Sequence, residues 1–308
     1  MTFFERILQS RVFKCLKSRI GFDYPLYPRG HFHSTIPHVS KVYEPVNEIQ
    51  DIDFNISGQL NLMESLASHY ASFPFGFKPN ADICFSLNNA YFTNSDAVIL
   101  YCFMAHFRPS TIIEIGSGHS TLCMLDTIKS VNMDCQVTAI DVNLETLHAL
   151  FKDNTLPSHL DLFNRDVRQV DANTFKKLKS GDILFIDSSH VSKYQSDLNY
   201  IMFEILPILE AGVIIHFHDV FDGFEYPEEW LKEGIYWNEQ YLIRAFLQNN
   251  DNYQIIYFSD YLEKRYCDWY KKKMPICLDP HERRLCGPQK GTLIENIRGQ
   301  SLWLRKLS

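Results

Sequence analysis

The chain predicts an α/β protein: a doubly wound, mostly parallel sheet preceded by a helical and irregular N-terminal arm. Three observations carry the prediction. From about residue 95, short apolar runs of strand length alternate with segments of helical period. A glycine turn, Gly116-Ser117-Gly118, separates the first such run from a helix. Carboxylates and imidazoles recur at the ends of the runs, where open α/β sheets hold their ligands. The alternation implies right-handed β-α-β units and a sheet buried on both faces.

The elements follow in order. Residues 1–20 set Arg6, Arg11, Lys14, Lys17 and Arg19 against Glu5, with Phe3, Phe4, Ile7, Leu8, Val12, Leu16 and Ile20 near helical spacing. This predicts a helix packing on its own domain, with weak peripheral membrane contact as the competing use. It lacks the uninterrupted apolar core and cleavage site of a secretory signal, and no run in the chain approaches the length of a membrane span. Residues 21–58, rich in Pro, Tyr and His, predict an irregular arm over the core. Helices are expected at Gln59 to Ser72, with Leu60, Leu62, Met63, Leu66 and Ala67 on one face, and at Ser95 to His106. Strands are expected at Thr111–Ile115, Gln136–Asp141, Leu160–Phe163, Asp182–Asp187, Val213–Phe217 and Tyr253–Phe258. Helices at Lys193–Leu209 and Asn238–Leu247 lie between them, and Ser301–Arg305 supplies a last strand. The division expected is an arm over 1–94 and one domain over 95–308.

Composition narrows the function. The apolar fraction of 45% and charged fraction of 22% are those of a globular protein. A net charge of −7 argues against a nucleic-acid partner. The eight cysteines include no C-x-x-C pair. Cys102, Cys123 and Cys135 fall in apolar or amphipathic runs, where a reduced thiol packs as a small hydrophobe. That usage points to a reducing, cytoplasmic setting.

The segment Thr111 to Thr121 is the most informative. Two glycines flanking one small residue let the backbone turn sharply and approach a ligand, and the next helix aims unpaired N–H groups at the turn. Glu114 beside the turn disfavours a pyrophosphate and suits a ligand bearing a cation or N–H donors. A dinucleotide fingerprint would place a third glycine where Thr121 stands. Asp141, closing the second strand, is placed to accept bonds from two ribose hydroxyls. Asp166, with Gln169 as rival, follows the third strand and faces a base. The fourth and fifth strands end in FIDSSH and IIHFHDVF, so Asp187, His190, His218 and Asp219 converge, with His216 deeper. Four such groups at neighbouring strand ends invite a metal or a proton relay.

The E-x-G-x-G pattern resembles the first motif of class I S-adenosylmethionine-dependent methyltransferases. From Asp182 to Phe221 the chain is similar to macrolide-sugar O-methyltransferases, and more distantly to catechol O-methyltransferases; the likeness covers about Ser95 to Phe258. It also resembles an uncharacterised bacterial group in YPRGHF (Tyr27 to Phe32), FEYPEEW (Phe224 to Trp230) and WNEQYLIRAFLQ (Trp237 to Gln248). The resemblance implies a Rossmann-like methyltransferase sheet with one antiparallel strand, the last. It implies a cofactor site for S-adenosylmethionine at Glu114, Gly116, Ser117, Gly118, Ser120, Asp141, Asp166 and Asp187. It implies catalytic roles for Asp187 and Asp219 and a general base at His190, near its ordinary pKa. A divalent metal would be held by Asp187, His218 and Asp219, the imidazole favouring a transition ion over Mg²⁺. The expected reaction is methyl transfer to a hydroxyl of a small molecule or sugar, under a lid bearing Tyr226, Trp230, Trp237 and Glu239. Two other classes compete with it: a catalytically silent cofactor-binding module, and an NAD-dependent sugar-modifying enzyme.

Overall fold

A computed structural model describes residues 29–37, 49–79, 83–151, 156–279 and 298–308, with the backbone of 283–284 and 293–294. The helix expected over 1–20 and most of the arm lie outside the described residues. The chain divides into two units. In the smaller, residues 29–37 form turns closed by Gly30 N–H on the Ile36 carbonyl (3.0 Å). There Glu228–Lys232 forms a short helix and the Arg29 guanidinium lies over the Tyr236 ring at 5.1 Å.

The larger unit holds the sheet. Its elements are α1 (Ile56–Tyr70), α2 (Asn94–Phe107), β1 (Thr111–Ile115), α3 (His119–Ser130), β2 (Gln136–Asp141), α4 (Glu145–Leu150), β3 (Leu160–Asn164) and β4 (Ile183–Ile186). They continue with α5 (Asp197–Tyr200), β5 (Ile214–Phe217), α6 (Glu239–Leu247), β6 (Tyr253–Phe258), α7 (Ser259–Arg265), α8 (Cys267–Lys273), β7 (Arg283–Arg284), β8 (Leu293–Ile294) and β9 (Leu302–Lys306). The main sheet runs β3-β2-β1-β4-β5-β9-β6. Its first five members pair in parallel, and β9 is antiparallel to both β5 and β6. This is the doubly wound, mostly parallel sheet expected from the sequence, with the last strand antiparallel. No helix of the described residues is long and apolar enough to cross a membrane.

Alternation along the strands explains why the sheet is covered twice. Ile112, Ile183, Phe185 and Ile214 join the core on the α1–α2–α3 side, while Ile113, Ile115, Leu184, Ile186, Ile215 and Phe217 face the other. Each fully buried branched side chain contributes about 1.5–3 kcal/mol. Trp303 of β9 stacks on Phe103 of α2 with centroids 4.0 Å apart, tying the antiparallel strand into the first core.

Element boundaries depart from the sequence reading in several places. Asp182 precedes β4 instead of opening it. Its Oδ1 accepts from the Ser110 and Thr111 amides and the Ser110 hydroxyl, all at 2.9 Å, stapling the starts of β1 and β4 together. Helix α1 begins at Ile56 because Gln59 is spent on docking: its Oε1 accepts from Phe258 N–H at 2.8 Å on the edge strand. The helix expected from Lys193 starts only at Asp197, where the Ser196 hydroxyl accepts from Asn199 N–H. It then widens to a π turn over Ile201–Ile205 and tightens over Leu206–Ile208 at Pro207, which has no N–H to continue the ladder.

The glycine turn is held from both sides. Gly116 adopts φ +88°, and a Cβ there would lie 1.9 Å from the Asp187 carbonyl oxygen at the end of β4. Beneath the turn Glu114 is fully buried; its two oxygens accept the Ser120 and Thr121 hydroxyls at 2.5 Å each, and Thr121 Oγ1 accepts from Gly118 N–H at 3.0 Å. Burial pushes the Glu114 carboxyl from 4.5 up to about 8 against the pull of those hydroxyls.

Two expectations follow. Gly116→Ala forces a strained φ and a backbone collision, so it should cost about 3 kcal/mol or more of stability; urea denaturation showing a loss below about 1 kcal/mol would remove the close approach. Because folded Glu114 binds its proton more tightly than the unfolded chain does, its contribution to stability declines as pH rises from 4.5 to about 8 and is constant beyond. Glu114→Gln should abolish that component, so the variant gains on the wild type by a few kcal/mol between pH 5 and 8. Identical pH slopes for the two proteins would contradict the buried-carboxyl account.

Candidate functional site

A cleft of ≈ 490 Å³ opens at the carboxyl ends of β1, β2, β3 and β4, where the strand order reverses direction. Gly116, Ser117, Asp141, Asp166 and Asp187 line it, five of the residues singled out from sequence. Asp141 Oδ2 accepts from both the amide and the hydroxyl of Ser117 at 2.9 Å, and Oδ1 from Asn143 N–H at 2.9 Å. The second strand end thereby anchors the glycine turn while keeping acceptor capacity, since a carboxylate has about four lone-pair sites.

The other expected cofactor residues stand differently. Glu114, Gly118 and Ser120 are buried and outside the cleft lining, so Glu114 works beneath the turn instead of presenting a charge at its open face. Asp166 is at the rim, but its Oδ1 takes the amide (2.9 Å) and Nε (2.8 Å) of Arg168, whose bonds hold it below the usual carboxylate range. The sequence reading missed Val142, which lines the cleft with 68% exposure. An exposed branched residue directly after a strand-end carboxylate was the available signal. Arg165, Arg168 and Lys193 at the same cleft come from turns with no motif to mark them.

Next to the cleft lies a buried acid–base cluster. His190 Nε2 is 3.2 Å from Asp187 Oδ1 and 3.6 Å from Asp219 Oδ2, and Nδ1 is 2.6 Å from Glu239 Oε2. His190, Asp219 and Glu239 are buried, whereas the Asp187 side chain is 34% exposed and belongs to the cleft. His190 (φ 57°) and Asp219 (φ 58°) both adopt left-handed backbone, which turns the chain sharply just past β4 and β5. Burial alone would push the His190 imidazole down, but Glu239, Asp187 and Asp219 outweigh it and hold the ring well above 6.5. The expectation of an imidazole near its ordinary pKa is therefore corrected: three carboxylates surround it. Burial raises Glu239, and His190 draws it back.

Asp187, His190 and Asp219 are the described residues whose potential ligand atoms all lie within 4.8 Å of one another. His218 stands outside that set, its Nε2 3.8 Å from Asp219 Oδ1 and its ring 5.4 Å from Phe92 and 5.6 Å from His216. The grouping takes in His190 where the sequence reading had His218. Two carboxylates and an imidazole backed by Glu239 suit a divalent transition ion.

Comparisons with known proteins find likenesses to methyltransferases. A family model described as a methyltransferase domain matches residues 113–220. An uncharacterized protein of Archaeoglobus fulgidus is 29% identical over 169 residues, which make up 51% of this chain and 76% of that protein. Among solved structures, an SAH-bound Podospora anserina methyltransferase is 13% identical with a TM-score of 0.41, covering 87% of this chain and 100% of that one. The O-methyltransferase TomG from Streptomyces achromogenes, solved in complex with SAM, is 9% identical with a TM-score of 0.41, covering 82% and 96% respectively. Residues 113–220, from within β1 to just past β5, are thus similar to a methyltransferase domain.

Proposed function

We propose that this enzyme methylates a hydroxyl of a small molecule or sugar, with His190 as the base. The observation that carries the reading is the meeting of the cofactor-sized cleft with the His190 cluster at Asp187, a residue common to both. S-adenosylmethionine supplies an already activated methyl group, so the protein has to orient the partners, exclude water and remove one proton. Ser117 and Asp141 at the turn are suited to its amino-acid and ribose parts, and Val142 offers an apolar face for the base. Asp187 and Asp219 orient the His190 ring from its Nε2 edge. Nε2 is the nitrogen on the cleft side, and it accepts the hydroxyl proton once the ring is neutral. A divalent ion, where one is used, would be held by the Asp187 and Asp219 carboxylates, leaving His190 Nε2 as the base, and would stabilise negative charge on the acceptor oxygen.

Binding is the first test. Calorimetry should show that S-adenosylhomocysteine binds and that Asp141→Ala weakens it by about 1.5–3 kcal/mol, the value of charge-assisted bonds; equal affinities would remove Asp141 from the site. The pH–rate profile is the second, read as methyl transfer to a panel of sugar and catechol hydroxyls. A base is active when deprotonated, so the rate should climb with pH through a limb lying above the ordinary imidazole range, in keeping with the raised His190. His190→Gln should lower turnover roughly 10²–10⁴-fold and erase that limb. A limb at or below pH 6.5 that survives in the variant would assign the proton transfer elsewhere.

A further inference from the structure

The segment Trp237-Asn238-Glu239, at the start of α6, grips His190 from three directions. Glu239 Oε2 meets the ring edge at Nδ1 (2.6 Å). The Trp237 ring stacks on the imidazole face, with centroids 4.2 Å apart and planes inclined by 28°. The amides of Asn238 and Glu239 both donate to the His190 carbonyl, at 3.1 and 3.2 Å. Asn238 extends the grip to Ser192, its Oδ1 accepting from Ser192 N–H at 2.6 Å and its Nδ2 donating to Ser192 O at 3.1 Å.

We propose that Glu239 is the positioning residue for His190, fixing a proton on Nδ1 so that Nε2 is the working edge presented to Asp187, Asp219 and the cleft. An ionised carboxylate only accepts hydrogen bonds, so the contact requires Nδ1 to be the donor. Fold stability alone does not account for a buried acid here. Glu239 is 1% exposed and its Oε1 has no hydrogen-bond partner among the described residues. An apolar side chain would serve packing better. What the acid adds is a choice of ring nitrogen, which packing cannot make. The two backbone bonds hold His190 in its left-handed conformation, which persists only where the surroundings enforce it.

The function of this arrangement rests on the methyl-transfer reading, and the test separates the two. The full-length chain is labelled with ¹⁵N-histidine, and the His190 signals are identified by their loss in His190→Gln. The wild type should show a slowly exchanging, downfield Nδ1 proton. Glu239→Leu should lose it to exchange, whereas Glu239→Gln, whose amide oxygen still accepts, should retain it at a shifted position. A Glu239 that only supports the fold predicts lower melting temperatures in both variants and an unaltered His190 ring. An Nδ1 proton unchanged in Glu239→Leu, or its absence from the wild type, overturns the proposal. If Glu239→Leu does not fold, Glu239→Gln decides alone: a displaced Nδ1 proton supports the assignment and an unmoved one overturns it. Calorimetry with S-adenosylhomocysteine on the same preparations isolates the other reading. A wild type that binds none, yet shows the expected Nδ1 proton lost in Glu239→Leu, upholds the positioning role and overturns the methyl-transfer function. Intact binding with an unmoved ring overturns the positioning role alone.

Discussion

One imidazole among three carboxylates sets the terms for the rest of this site. Asp219 and Glu239 are almost wholly buried, and two ionised acids in an apolar interior repel one another and lose their hydration. A proton shared with His190 is what makes their burial tolerable, which is why the ring is held above its ordinary range and Glu239 does not rise unopposed. The cost of bringing these groups together is met by the backbone around them. Left-handed residues at positions 190 and 219 turn the strand ends sharply, and the amides that open α6 hold the first of these turns in place.

The sheet explains how residues so far apart meet. Parallel pairing of β4 with β5 aligns Phe185 with His216 and Ile186 with Phe217, so the loops beyond them start level with each other. Asp187 and His190 leave from one end, His218 and Asp219 from the other. The neighbouring pair, β1 with β4, aligns Ile115 with Ile186 and delivers the glycine turn beside Asp187. Gly116 is where these two demands coincide, because any side chain there would occupy the place of the Asp187 carbonyl. The glycine turn and the His190 cluster are therefore built on adjacent strands, and displacing either strand end displaces both.

Sequence pattern made most of this architecture legible, and it failed in instructive places. β1, β2 and β6 match their expected bounds, each an apolar-rich run of strand length with one polar residue inside it, at Glu114, Thr138 and Gln254. The antiparallel β9 was legible only through family resemblance, since a strand's direction leaves no mark on its side-chain period. Asp182 was taken for strand because local pattern does not reveal that a side chain staples two loops. At the site, chain order paired His218 with Asp219, yet the chain turns into left-handed backbone at Asp219 just past β5 and the His218 ring lies on the Phe92 side. Glu239 lies 49 positions from its partner His190, on a helix whose apolar period says nothing about which loop its first turn will meet.

Asp187 carries a final consequence, because it belongs to two environments at once. One part of its surroundings is the open cleft, and the other is His190 Nε2 at 3.2 Å. A cation entering the cleft near Asp187 competes with the imidazolium for the same carboxylate. At an effective dielectric of about 20, two unit charges 4 Å apart interact by roughly 4 kcal/mol, so such competition is large on the scale of one proton. The ring's hold on its Nε2 proton must then weaken as positive charge arrives, while the Nδ1 side, turned toward Glu239 and away from that edge, is much less affected. The carboxylate shared between cleft and imidazole thus couples the charge of a bound ligand to the ring's proton. The arrangement needs no moving part, since the charge of the ligand and the sharing of Asp187 are sufficient.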